Sequence, residues 1–146
     1  MIKICFVCLG NICRSPMAEF MFKDKIRRRN LVDHFFITSR ATSYEEQGNP
    51  MHNGTVKVLE KNNILYDDHS AKRLEKSDYD KYDYFICMDD SNVSNALCIL
   101  GDDIQNKIFK LNDKDVSDPW YTRDFEKTFF DINIGLENLL DKVNIR

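Results

Sequence analysis

The apolar run Ile2-Lys3-Ile4-Cys5-Phe6-Val7 passes directly into Cys8-Leu9-Gly10-Asn11-Ile12-Cys13-Arg14-Ser15-Pro16, and a helical pattern follows. A strand that turns within a few residues into a helix fixes the first unit of an α/β layout. The same junction is suited to anions, because loop N–H groups and a helix N-terminus can surround a phosphate-like dianion. That positive field favours the thiolate of a cysteine placed in it, here Cys8. Arg14 adds a planar fork that matches two phosphate oxygens. Gly10 permits backbone conformations closed to most residues, and Asn11 tolerates a left-handed one. Ser15 reads either as the helix N-cap, with Pro16 at the first helical position, or as a hydroxyl donor to Cys8. The stretch is read as a phosphate-binding loop built around a nucleophile.

The rest of the chain repeats the alternation of strand and helix. Ile2–Val7 is apolar almost throughout, as expected of a strand buried on both faces. Met17, Ala18, Met21, Phe22 and Ile26 mark one face of a first helix. Phe35–Ser39, Tyr82–Met88 and Lys107–Leu111 read as further strands, and Met51 to Lys61 as a helix with Val56, Val58 and Leu59 inward. Phe125, Phe129, Ile132, Leu136, Leu139 and Val143 recur at helical spacing in a last helix, and Asn112–Ser117 reads as a loop. The predicted fold is an α/β, single-domain three-layer sandwich over residues 1–146. A central four-stranded parallel sheet is flanked by helices and joined by right-handed crossovers.

At 146 residues the chain suits one domain with a substantial core. A net charge of −3 argues against a general nucleic-acid binder, despite Arg27-Arg28-Arg29, which suit a helix C-terminus instead. No apolar run reaches transmembrane length, and the N-terminal one is too short for a signal peptide, so a cytoplasmic protein is expected. Five cysteines (Cys5, Cys8, Cys13, Cys87 and Cys98) are an odd number, and reduced thiols are expected. Cys5 and Cys8 formally match C-x-x-C. Three residues apart in a strand, they face opposite sides, which opposes a redox pair and a metal site with Cys13. No metal or organic cofactor is expected.

In parallel α/β sheets ligands bind outside the carboxyl ends of the strands. Cys8, Ser39, Asp89 and the loop ending at Asp118 all follow predicted strands and should converge on one edge. Asp113, Asp115 and Asp118 are candidate acids near that edge, and Pro119 holds the residue before it extended. Trp120 and Tyr121 read as walls of a slot for a flat ring or as packing against the last helix.

The Cys8–Pro16 stretch resembles the signature of low-molecular-weight protein tyrosine phosphatases. Ala41-Thr42-Ser43, Gly48-Asn49-Pro50, Tyr84-Phe85-Ile86-Cys87-Met88-Asp89 and Asp118-Pro119-Trp120-Tyr121 follow in that family's order with similar spacing. The resemblance implies hydrolysis of phosphotyrosine on protein substrates, and of small aryl phosphates, through a phosphocysteine on Cys8. It implies Arg14 and the loop residues Leu9, Gly10, Asn11, Ile12, Cys13 and Ser15 as phosphate binders, and selects Asp118 as general acid and base. It also implies Trp120 and Tyr121 at the pocket rim, a reversible Cys8–Cys13 disulfide, and Ser43 and His69 as hydrogen-bond partners around Asn11. Asp89 matches an acid after the third strand. Inorganic phosphate is then product and inhibitor, and a short acidic chain suits a monomer.

The chain departs from the family where an aromatic is often found two positions after the serine of Ala41-Thr42-Ser43. Glu45 stands there, Tyr44 comes one position earlier, and Glu45-Glu46 make that rim acidic. Arsenate reductases share the fold and loop, with Cys87 and Cys98 as the thiols available for a relay. Phosphoarginine phosphatases resemble the loop except for a threonine where Ile12 stands. A non-catalytic phosphate-binding module has no use for Cys8 and Asp118 together, and the Gly-Lys-Ser/Thr spacing of a nucleotide P-loop is missing.

Overall fold

Strands β1 (Ile2–Cys8), β2 (Phe35–Ala41), β3 (Tyr84–Cys87) and β4 (Ile108–Lys110) form one sheet in the order β2-β1-β3-β4, every pair parallel. This computed structural model describes residues 1–143, so the last three positions of the expected 1–146 domain lie outside the described residues. Between two neighbours, β1 is buried from Ile4 to Cys8, which explains its nearly unbroken apolar character. Helices α1 (Arg14–Arg28), α2 (Asn53–Lys61) and α5 (Phe125–Val143) cover one face, and α3 (Asp90–Leu100) covers the other. The three layers match the predicted α/β sandwich.

Strand alternation divides the core. Ile4, Phe6 and Cys8 join the cluster under α1, α2 and α5, whereas Cys5, Val7 and Cys87 join the one under α3. Cys5 and Cys8 therefore diverge, as expected. In the larger cluster Phe22 meets Phe6 and Phe35 edge to face, with ring centroids 5.9 and 5.3 Å apart. Each such buried side chain contributes roughly 1.5–3 kcal/mol. The α1 helix ends in Arg27 and Arg28, and Arg28 and Arg29 pair with Asp24 and Glu137, so the basic run is a solvated helix end. Among the described residues, no helix is long and apolar enough to cross a membrane.

Several boundaries differ from expectation. Helix α1 starts at Arg14 with Cys13 at the N-cap, so Ser15 and Pro16 are its second and third residues. The chain turns into the helix early because Asn11 takes φ 60° in the preceding loop. Proline is tolerated in the first turn, where its missing N–H has no intrahelical partner. Helix α2 starts at Asn53, and Val58 and Leu59 are buried while Val56 is only partly so. The sequence reading assigned no helix between β3 and β4. Its signal is the reciprocal cap of α3, in which Asp89 Oδ1 accepts the Asn92 N–H at 2.7 Å and Asn92 Oδ1 accepts the Asp89 N–H at 3.2 Å.

Helix α5 comes close to the end of β4 at Gly135, where a Cβ would stand 2.5 Å from Leu111 Cγ and on the Asn112 side chain. Alanine there gains about 1 kcal/mol of helix propensity but forces a well-packed contact apart. Gly135→Ala is expected to lower stability by about 1–3 kcal/mol, read as a lower urea midpoint. An unchanged or higher midpoint would show that α5 does not press on this end of the sheet.

Candidate active site

The strand register aligns Cys8 with Ala41 and Val7 with Cys87, which in turn pairs with Lys110, so the carboxyl ends of all four strands share one edge. The loop from Leu9 to Cys13 lies there, and the carbonyls of Leu9, Asn11, Ile12 and Cys13 are occupied from outside. The Cys8 and Leu9 carbonyls accept the Thr42 N–H, and Leu9 also accepts that of Ser43. The Ile12 carbonyl accepts the His52 N–H at 2.9 Å, and Cys13 accepts the Thr55 hydroxyl at 3.3 Å. The His69 Nε2 proton goes to the Asn11 carbonyl at 2.7 Å. With its acceptors turned outward, the loop directs donors inward: the Asn11 and Ser15 N–H groups point at Cys8 Sγ from 3.3 and 3.4 Å.

A directed chain of side chains lies behind the sulfur. Asn11 Oδ1 accepts the Lys72 N–H at 3.1 Å, which orients the amide. Its Nδ2 then donates to Ser15 Oγ at 2.8 Å and Ser39 Oγ at 3.0 Å. Ser39 passes its own proton to Glu19 Oε1 at 2.6 Å, because a carboxylate only accepts. Ser15 Oγ, having accepted from Asn11, lies 3.0 Å from Cys8 Sγ and donates to it when Cys8 is a thiolate. Of the two readings of Ser15, the contact with Cys8 is present, and no side-chain cap is found at the start of α1.

The expected partnership of Ser43 with Asn11 is not found: its Oγ accepts the Glu45 N–H, and Ser39 bonds Asn11 instead. Strand alternation explains this, since Ser39 lies on the inward face of β2 whereas Ser43 lies beyond the strand. A serine at an inward strand position was the available signal. Ser39 lies at the edge where it was expected, whereas Glu19, four residues after Ser15 on the buried face of α1, has no signal in the sequence reading. Gly10 does not use a positive φ. A Cβ there would stand 3.3 Å from Glu46 Cγ, so that side chain would have to give a few tenths of an ångström.

Arg14 is buried beside the loop. Its Nη1 donates to Asp89 Oδ2 at 2.7 Å and to the Val116 carbonyl at 2.9 Å, and its Nη2 reaches Asp118 Oδ2 at 3.4 Å. Burial alone would lower its pKa, but Cys8, Asp89 and Asp118 outweigh it and raise the value. Asp118 is extended before Pro119, as expected, and its Oδ1 accepts the Trp120 N–H at 3.0 Å to cap the one-turn helix α4 (Pro119–Thr122).

Cys8, Arg14 and Asp118 line one cavity of about 100 Å³, together with Leu9, Gly10, Ile12, Cys13 and Ser43. Trp120 and Tyr121, both largely exposed, form part of its wall with Glu45 and Glu46. Asn11, Ser15, His69 and Asp89 stand behind the lining. Tyr44 does not line the cavity. Its ring packs under Arg73, whose guanidinium lies 4.4 Å from the ring centroid. Cys13 is a free, buried thiol whose pKa rises to about 12, first through burial and then through the charges of Cys8 and Asp118. Cys87 is fully buried in the cluster opposite Cys8, and burial pushes its thiol up as well. Cys98, the other thiol named for a relay, is exposed on α3, and neither it nor Cys87 lines the cavity that holds Cys8.

Residues 3–146 match the family described as low molecular weight phosphotyrosine protein phosphatase. The low molecular weight protein-tyrosine-phosphatase PtpA of Staphylococcus epidermidis is 41% identical over 149 residues, covering 98% of this chain and 94% of the relative. The crystal structure of SP-PTP, a low molecular weight protein tyrosine phosphatase from Streptococcus pyogenes, superposes with a TM-score of 0.93 at 41% identity. That match covers 100% of this chain and 95% of the other. YfkJ from Bacillus subtilis gives 0.94 at 37% identity, covering 98% and 94%. The chain belongs to the low molecular weight phosphotyrosine protein phosphatase family.

Proposed function

We propose that this chain hydrolyses phosphotyrosine on proteins, and small aryl phosphates, through a phosphocysteine on Cys8. The reading rests on one arrangement: a sulfur at the centre of inward-facing N–H and O–H donors, in the same cavity as a guanidinium and an acid. The Cys8 sulfur attacks phosphorus as the bond to the tyrosine oxygen breaks. Arg14 and the loop amides hold the equatorial oxygens, and their grip strengthens as charge builds on them. The phosphate takes over the Arg14 Nη2, which leaves Asp118, in its protonated form, to give a proton to the departing phenolate oxygen. Water then attacks the phosphocysteine and loses a proton to Asp118, releasing inorganic phosphate and the Cys8 thiolate, on which the three donors converge. The free phosphate occupies the same cradle and inhibits. The proposed setting is a monomer of one domain acting in the cytoplasm, where thiols stay reduced.

Phosphate release from a phosphotyrosine peptide, with no metal added, tests the reading directly. The native chain is expected to turn over and Cys8→Ser to be inactive while folded; a silent native chain would sink the proposal. Arg14→Lys keeps the charge but loses the fork, so it should fold and lose about 10²–10³ in kcat, the loss typical of a removed transition-state donor. Near-native turnover would take Arg14 out of that role. Asp118→Ala should slow phosphotyrosine hydrolysis by about 10²–10⁴ while inorganic phosphate still inhibits. Unchanged turnover would remove Asp118 from the mechanism.

A further inference from the structure

His52 stands between two parts of the site that belong to different elements. At the N-cap of α2, its Nδ1 accepts the Gly54 N–H at 2.9 Å, which places the proton of the neutral ring on Nε2. Its backbone N–H donates to the Ile12 carbonyl of the phosphate loop at 2.9 Å. One face of the imidazole stacks on Phe125, the first residue of α5, with centroids 5.0 Å apart and planes 24° apart. Trp120 meets the ring edge to face, 5.8 Å away at 84°. Gly54 makes the stack possible, because a Cβ there would fall on the Phe125 ring.

Capping alone asks only for an acceptor, which asparagine or aspartate provides with less bulk. The imidazole adds a flat surface that fits between two aromatic rings. Trp120 needs such a support: it is 49% exposed and sits on a helix of one turn. Its backbone N–H, on the same short helix as the ring, donates to Asp118 Oδ1, so the placement of the residue bears on the acid. The path from the phosphate loop to the acid loop thus runs from the Ile12 carbonyl through His52 and Trp120 to Asp118.

We propose that His52 is a positioning residue: its ring fixes the Trp120 wall and, through Trp120, the placement of Asp118 toward the leaving oxygen. The inference rests on the phosphocysteine reading above and adds to it a residue that touches neither phosphate nor nucleophile.

Two variants separate the cap from the ring. His52→Asn keeps an acceptor for Gly54 and the backbone N–H to Ile12 but deletes the imidazole. His52→Phe keeps an aromatic face and removes the acceptor. Each is compared with the native chain for Tm, for inhibition by inorganic phosphate, and for kcat/KM on aryl phosphates of increasing leaving-group basicity. His52→Asn is expected to keep a near-native Tm and phosphate inhibition while losing about 2- to 10-fold in kcat/KM on phosphotyrosine, the scale of one aromatic contact. That loss should grow as the leaving phenol becomes more basic, because misplaced acid matters most there. His52→Phe should lose Tm yet keep the native leaving-group dependence. In a Trp120→Ala background, His52→Asn should cost nothing further, since a residue acting through Trp120 is not additive with it. Native kcat/KM in His52→Asn, a loss equal for every leaving group, or full additivity with Trp120→Ala would each overturn the inference and leave the phosphatase reading intact. A native chain silent on every aryl phosphate would overturn the phosphatase reading, and the role of His52 with it.

Discussion

The Arg14 guanidinium is a full charge with 3% of its side chain exposed, and leaving such a charge unmet would cost several kcal/mol. It is met on several sides by groups from distant parts of the chain. Asp89 comes from the end of β3, while the Val116 carbonyl and Asp118 come from the loop after β4. Satisfying one cation therefore brings those segments to the end of β1, where Cys8 already lies. Asp89 is fixed in turn, because its other oxygen caps α3. Arg14 is thus oriented before any phosphate arrives, and little reorganisation is left for the reaction step.

A second constraint is the direction of the hydrogen bonds behind the sulfur. Glu19 can only accept, so Ser39 must donate to it; Ser39 then accepts from Asn11, and the remaining Asn11 proton fills an acceptor site on Ser15. Ser15 Oγ in turn lies 3.0 Å from Cys8 Sγ, where its proton meets the sulfur once Cys8 is a thiolate. Lys23 holds Glu19 from the outer side at 2.6 Å. Glu19 thus fixes the donor direction of Ser39, while the Asn11 amide, which can only donate through Nδ2, links Ser39 to Ser15 behind the sulfur. Asn11 completes the arrangement through its backbone, since φ 60° turns its carbonyl to His69 and its N–H to the sulfur.

How far this was legible in the sequence depended on whether a residue's role was local. The four strands, the helical face of α5 and the loop between β1 and α1 rest on short-range patterns, and they appear where those patterns put them. Asp118 before Pro119 is also a local matter, and its extended backbone is found. Residues acting across the fold were harder to find. Ser39 and Ser43 differ only in which lies on an inward strand position, and the motif pointed to Ser43. Glu19 looked like an ordinary helix residue until β2 brought Ser39 against it. His52 has no pattern at all in the sequence, since its neighbours Ile12, Trp120 and Phe125 are brought to it by three other elements.

The two halves of the cavity are built on different physical terms. On the side of the loop, Asn11, Arg14 and Ser15 are buried and the carbonyls of Leu9, Asn11, Ile12 and Cys13 are tied to neighbouring elements. On the side open to the rest of a substrate, Trp120 and Tyr121 are exposed and Glu45 and Glu46 stand at the wall. Those carboxylates do not attract a dianion from a distance, and the charge of Arg14 is already answered by Asp89. In the proposed reaction, affinity for phosphate then comes from donors that act at contact, where geometry decides the energy more than net charge does. That explains why the chain spends its buried polar groups on the shape of that loop and leaves the aromatic wall to depend on a few ring contacts.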